Sequence, residues 1–321
     1  MDWGIWLIVA FVAVGFTIVA LLWWIRFPKA ASIVMRGQHV IITGGSSGIG
    51  LALAQLVAAE GAAVISLIAR DPEKLAAAQA SVNAYSADVK DFASVKKAFE
   101  AACGESGNVT AVVLSHGVAV PGTFEDTSIE TMEHMLDTNL KGNIHAIKAA
   151  LPFIKSSKSA PASIAIFSSQ AGQVGVYGYA AYSASKFALR GLAEVLQQEL
   201  ISRNIRLSLV YPPDTDTPGF AEEEKTKPEL TKKISGSSKS MDAITVARNA
   251  LCGIKAGQFS VHCNFEGLII STVGAGMSPQ PSWPRAVLEV MTMGLLRIVA
   301  FFVVKGWYTT ILLSQQEKAK K

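Results

Sequence analysis

Residues 43–50 read Thr43-Gly44-Gly45-Ser46-Ser47-Gly48-Ile49-Gly50, and the sequence on either side gives this octapeptide its meaning. The apolar run His39-Val40-Ile41-Ile42 leads into it, and Leu51-Ala52-Leu53-Ala54-Gln55-Leu56-Val57 leaves it with the composition of a helix. A strand, a glycine-rich turn and a helix in succession present backbone N–H groups and the positive end of a helix dipole to a pyrophosphate. Gly44 and Gly48 accept turn conformations that a Cβ penalises and let a ligand approach the backbone, while Gly50 lets the helix lie close to its strand. The stretch therefore predicts a nucleotide site over Gly44, Ser46, Ser47, Gly48, Ile49 and Gly50.

A second apolar run, Ala63 to Ile68, ends at Arg70, about twenty residues past the glycine turn, where a dinucleotide fold reads the adenosine ribose. An acid there would favour the free 2′-hydroxyl of NAD. Arg70, with Lys74 one helical turn on, suits a 2′-phosphate instead, so the expected cofactor is NADPH. A third strand closes on Asp88 and Val89, with Asp88 placed to meet the adenine, and a fourth (Val109 to Ser115) leads into His116-Gly117. Strands alternating with helical segments in this rhythm predict an α/β fold, a doubly wound parallel sheet with its ligand at the strands' C-terminal ends.

Ala162 to Phe167 reads as a fifth strand delivering Ser168 and Ser169, and Tyr182-Ser183-Ala184-Ser185-Lys186 heads a long helix. A Tyr and a Lys four apart share one helical face. An ammonium beside the phenol is expected to lower its pKa, as suits an acid that protonates a carbonyl oxygen, and Ser169 is expected to hold the same oxygen.

Together TGGSSGIG, Asn139, Ser169 and YSASK resemble the short-chain dehydrogenase/reductase family. The resemblance runs from Gly37 to near Cys263 and implies a Rossmann sheet of about seven parallel strands. It implies a catalytic tetrad of Asn139, Ser169, Tyr182 and Lys186, with Tyr182 and Lys186 also touching the cofactor and Asn139 holding a water that relays protons. It also brings Gly117, Pro212, Pro213 and Thr217 to the nicotinamide end. One departure is Leu114-Ser115-His116-Gly117, where the family usually reads Asn-Asn-Ala-Gly and only the glycine is kept. Downstream, YPPDTDTPGF (residues 211–220) resembles the branch of the family that reduces a long-chain sphingoid ketone at the endoplasmic reticulum membrane, with the catalytic domain facing the cytosol. The same residues would serve a reductase of another lipid ketone, such as a 3-ketoacyl thioester or a steroid, and a tethered nucleotide-binding scaffold without turnover is the non-enzymatic alternative.

The chain has 321 residues, half of them hydrophobic and 17% charged, with a net charge of +4. Its mean hydropathy of +0.34 points to membrane segments. No basic stripe with interleaved aromatics is present, which argues against nucleic acid as a partner. Cys103, Cys252 and Cys263 lack metal-like spacing, and no metal is expected. Trp3 to Ile25 is uncharged over the length of a bilayer crossing, with Arg26, Lys29 and Arg36 following, so residues 1–28 are expected to anchor the chain with the rest in the cytosol. Residues 37–264 are expected to form the reductase domain and 265–321 a membrane-associated segment with a Lys-rich tail. In that segment Glu289, Arg297 and Lys305 fall on one side of a helix, which favours a helix in the membrane plane over a spanning one. A homo-oligomer interface is its other expected use. The polar stretch 222–239 is expected to form a mobile or solvated loop.

Overall fold

The computed structural model describes residues 3–25, 31–77, 82–157, 160–235, 240–280 and 282–319. Its centre is a sheet of seven strands: β1 (His39–Thr43), β2 (Val64–Ala69), β3 (Asn83–Ser86), β4 (Ala111–Leu114), β5 (Ala162–Phe167), β6 (Ile205–Tyr211) and, later in the chain, β9 (Ser260–His262). The spatial order is β3-β2-β1-β4-β5-β6-β9 and every pairing is parallel. β1, β4 and β5 are buried along their whole lengths. Strands covered on both faces need unbroken apolar runs rather than alternation, as these have. The expected doubly wound Rossmann sheet is thus present.

One face carries α4 (Phe92–Ser106), α6 (Gly142–Ala150) and α7 (Ala180–Leu200); the other carries α2 (Gly48–Ala59) and α10 (Ala243–Lys255). α3 (Pro72–Ala77) follows β2, and α5 (Ile129–Leu136) runs into α6 through a π-helical turn, Asp137–Lys141. The order reverses between β1, which pairs with β2 on one side, and β4 on the other. A crevice opens at that switch above the strands' C-terminal ends, where ligands of such sheets bind.

The polar stretch 222–239 departs from the expected loop. It contains the end of α8 (Pro218–Thr226) and all of α9 (Glu229–Ser235), while 236–239 lie outside the described residues. Thr217 caps α8 by accepting from the Phe220 N–H, and Pro218 opens its first turn. Between β6 and α10 lies a two-stranded parallel pair, β7 (Thr215–Asp216) with β8 (Met241–Asp242).

The apolar ends fold as helices. α1 spans Trp3–Trp24, and after α11 (Phe265–Val273) the chain forms one unbroken α12, Trp283–Ala319. Residues 283–317 are long and apolar enough to cross a membrane. The Trp23 ring meets Trp283 edge-on, 5.8 Å between centroids, so the end of α1 lies beside the start of α12. On α12 Glu289 accepts from Gln280, Arg297 stacks on Phe301 and lines the cavity described below, and Lys305 is exposed. Arg26 and Lys29, and Lys320 and Lys321 of the tail, lie outside the described residues.

Candidate active site

The glycine turn is shaped by close backbone approach. Gly44 has φ +69°, and a Cβ there would come within 2.8 Å of the His116 backbone. A Cβ on Gly50 would lie 2.4 Å from the Gly44 carbonyl oxygen, so α2 reaches the turn only because residue 50 is glycine. Ser47, the residue before α2, makes no side-chain cap, unlike Asp91, Ser128, Asp242 and Asn264 at other helices. The first-turn N–H groups of α2 are thereby left toward a cavity lined by Gly44, Ser46, Ser47, Gly48, Ile49 and Gly50.

This cavity has a volume of about 1460 Å³. Beyond the glycine turn it is walled by Arg70, Lys74, Asp88 and Val89, and in the opposite direction by Gly117, Ser169, Tyr182, Lys186, Pro212, Pro213 and Thr217. Every residue expected at the cofactor therefore lines one space. Lys74 lies 3.6 Å from Asp71 at an exposed position, a pairing weak enough to yield to a bound anion. α11 and α12 add a mainly apolar wall of Ile269, Ile270, Val273, Val299, Val303 and Trp307, with Glu266 and Arg297 from the same helices.

Ser169, Tyr182 and Lys186 meet on the cavity wall. β5 and the first turns of α7 bring them together. Ser169 follows β5, accepts from the Ala171 N–H at 3.1 Å and hydrogen-bonds Tyr182. The Lys186 ammonium donates to the Phe167 carbonyl at 2.9 Å and stands 5.8 Å from the Tyr182 ring centre. The expected depression of the Tyr182 pKa is not found. Burial pushes the phenol above its ordinary value, Glu223 and then Asp214 push it further, and only the Ser169 hydrogen bond opposes them. Burial also lowers Lys186 to about 8, because its own charge is poorly solvated.

Asn139 sits in the π-helical turn, fully buried, and does not line the cavity. Its Oδ1 accepts from the Val118 N–H at 2.8 Å, and its Nδ2 donates to the Val118 carbonyl at 2.9 Å and to Ser185 Oγ at 3.0 Å. Both amide protons are spent on bracing the segment after β4 against α7, so the side chain has no donor left for a relayed water. Ser185 was not singled out from sequence. It donates in turn to the Tyr182 carbonyl at 2.7 Å, and the signal was its place inside the YSASK motif.

His116, one of the three residues that depart from the family pattern there, is buried against the glycine turn. Its Nδ1 lies 2.6 Å from Thr43 Oγ1, and its Nε2 lies 3.3 Å from Asn143 Nδ2. Burial, with Lys186 adding to it, lowers its pKa to about 3. A folded-state pKa below the unfolded one means that the unfolded chain binds more protons between pH of about 6.5 and 3, so stability falls as pH falls through that window. His116→Gln is expected to flatten the loss of melting temperature between neutral pH and mild acid. Identical slopes for the two proteins would show that His116 is not the group protonated on unfolding.

The family model for short chain dehydrogenases matches residues 38–228. A 3-dehydrosphinganine reductase of Arabidopsis thaliana is 46% identical over 303 residues, spanning 92% of this chain and 90% of that protein. The 3-dehydrosphinganine reductase of Danio rerio is 38% identical over 301 residues, 89% of this chain and 90% of that one. A solved short chain dehydrogenase/reductase of Burkholderia phymatum in complex with NAD has the same fold, with a TM-score of 0.64 at 24% identity over 72% of this chain and 90% of its own. With its glycine turn, its seven-stranded parallel sheet and its Ser169–Tyr182–Lys186 cluster, the chain belongs to the short-chain dehydrogenase/reductase family.

Proposed function

We propose that the protein reduces the ketone of 3-dehydrosphinganine to dihydrosphingosine in sphingolipid biosynthesis, using NADPH, at the endoplasmic reticulum membrane with residues 37–264 as a cytosolic reductase domain. The observation that carries this reading is the continuity of one cavity from the glycine turn, past Ser169, Tyr182 and Lys186, to the apolar wall of α11 and α12. A polar reacting group with a long hydrocarbon tail matches that gradient, and relatives named for this reaction align over nine-tenths of the chain.

The residues fit a dinucleotide. The glycine turn and the free N–H groups of α2 would hold its phosphates, Asp88 and Val89 its adenine, and Arg70 with Lys74 its 2′-phosphate. Gly117, Pro212, Pro213 and Thr217 would border the nicotinamide, and Lys186 its ribose. When bound there, the cofactor would supply the hydride for the carbonyl carbon. Tyr182 gives its proton to the carbonyl oxygen, and its raised pKa keeps that proton in place until substrate arrives. Ser169 hydrogen-bonds the same oxygen as negative charge develops there. The ammonium of Lys186 is the nearby cation that stabilises Tyr182 once the proton has left, and Asn139 holds the scaffold behind both.

α1 and α12 attach the enzyme to the membrane on this reading, residues 1–28 as an anchor and 265–321 as a membrane-associated segment. At 37 residues α12 is roughly 55 Å long, enough to cross a bilayer. Exposed Leu295, Phe301 and Phe302 give it an apolar exterior on the helix that also lines the cavity.

The test is detergent-solubilised protein with NADPH and 3-dehydrosphinganine, following cofactor absorbance and product mass, with a 3-ketoacyl thioester and a steroid ketone alongside. Turnover of the sphingoid ketone alone is expected; turnover of another ketone in its place would overturn the substrate. In the same assay Arg70→Ala should raise KM for NADPH about tenfold by removing a charge-assisted contact. KM for NADH should hardly move, and equal effects on both cofactors would show that Arg70 does not read the phosphate.

A further inference from the structure

We infer that Glu223, with Asp214 beside it, binds the ammonium on the carbon next to the substrate's ketone, and so makes this site specific for a 2-amino ketone. The inference rests on the substrate proposed above. Glu223 lies on α8 and lines the same cavity as Tyr182. Tyr179 donates its hydroxyl proton to Glu223 Oε1, and the Tyr179 ring lies 5.7 Å from the Tyr182 ring. The Glu223 side chain is only 14% exposed, and among the described residues its Oε2 has no hydrogen bond. Asp214 also lines the cavity, directly after Pro212 and Pro213, and its side chain is 44% exposed.

The charge at this end of the cavity does not balance. Lys227, nearly buried, lies 3.7 Å from Asp214, 3.9 Å from Glu223 and against Glu224. Glu224 takes the closest contact with that ammonium, so Asp214 and Glu223 line the cavity without a full counter-charge. Burial holds the Glu223 carboxyl above its usual range, a penalty that a bound cation would relieve. The position of the two carboxylates is adverse for the reduction itself. Glu223 and Asp214 push the Tyr182 phenol up, which disfavours the phenolate that forms when the proton leaves. A cation delivered with the substrate reverses that penalty at the step that needs it. With the carbonyl oxygen held by Tyr182 and Ser169, an ammonium one carbon away would share the cavity with Glu223, which is joined to the Tyr182 ring through Tyr179. The tail then leads to the apolar wall. A ketone without the amine offers these carboxylates no counter-charge, which disfavours competing lipid ketones.

The experiment compares kcat/KM for 3-dehydrosphinganine with that for its N-acetyl derivative, which has the same ketone and chain but no charge, using full-length solubilised protein. The wild type is expected to prefer the free amine. Glu223→Gln should reduce that preference about 10- to 100-fold, the loss falling mainly on KM for the amino ketone. NADPH binding by the variant, read from cofactor fluorescence, should match the wild type. A preference that survives in Glu223→Gln, or an equal loss on both ketones, would overturn the assignment and leave the cluster as a brace for α8. Should Glu223→Gln fail to bind NADPH, Asp214→Asn carries the same comparison, with the same outcomes, at the more exposed carboxylate. A wild type that reduces neither ketone would instead overturn the substrate proposed above.

Discussion

Tyr182→Phe will lower kcat for ketone reduction by about a thousandfold while leaving NADPH affinity close to that of the wild type. The phenol is the acidic group placed on the cavity wall with a hydrogen bond from Ser169 and a buried ammonium nearby. Removing one oxygen keeps the ring packed against Tyr179, so the fold and the cofactor cleft should survive. Tyr179 cannot substitute, because its hydroxyl donates to Glu223 and burial with that carboxylate raises its pKa strongly. Single-turnover reduction with preloaded NADPH, alongside a cofactor titration, separates chemistry from binding. A variant that keeps full turnover would show that the proton comes from elsewhere; one that loses NADPH binding as well would place Tyr182 in the cofactor site rather than in the proton transfer.

The second large effect is expected at the glycine turn. Gly50→Ala should weaken NADPH binding about a hundredfold, with kcat at saturating cofactor much less affected. The reason is steric. The added methyl would sit 2.4 Å from the Gly44 carbonyl oxygen and 3.1 Å from the Gly45 Cα, and these are backbone atoms that cannot rotate away. Either α2 retreats or the turn opens, and both displace the N–H groups that face the phosphates. Overpacking of this kind costs about 1–3 kcal/mol or more. Gly175 supplies the control, since a Cβ there meets nothing within 4 Å. Equal NADPH affinity for Gly50→Ala and Gly175→Ala would mean that the close approach of α2 does not position the phosphates.

Much of this site is legible in sequence because its chemistry is local. The glycine spacing, the strand before it and the helix after it are one continuous segment. Tyr182 and Lys186 sit four apart on a helix whose register carries both side chains to the same wall. Arg70 is placed by the end of β2 alone. Likewise β1, β2, β4, β5 and β6 announce themselves as short apolar runs, since a strand covered on both faces needs little beyond burial.

What the sequence could not determine depends on partners distant along the chain. The stretch 222–239 is rich in Lys and Glu, and such composition reads as solvated. In the fold Thr217 caps α8, and Lys227 is buried among Asp214, Glu223 and Glu224, so a polar segment becomes a helical wall of the cavity. The spacing to Tyr182 picks out Lys186, yet its ammonium turns to the Phe167 carbonyl nineteen residues away. The two amide protons of Asn139 go to Val118 and Ser185, partners 21 and 46 residues away along the chain. The sequence alone thus determined the fold, the glycine turn and the shared helical face of Tyr182 and Lys186, because each is encoded by one continuous segment or by a simple repeat of such segments. Only the tertiary structure decided which hydrogen bonds those side chains have left to give and which carboxylates face Tyr182, because a pKa and a free lone pair are set by burial and by neighbours that the linear order keeps apart.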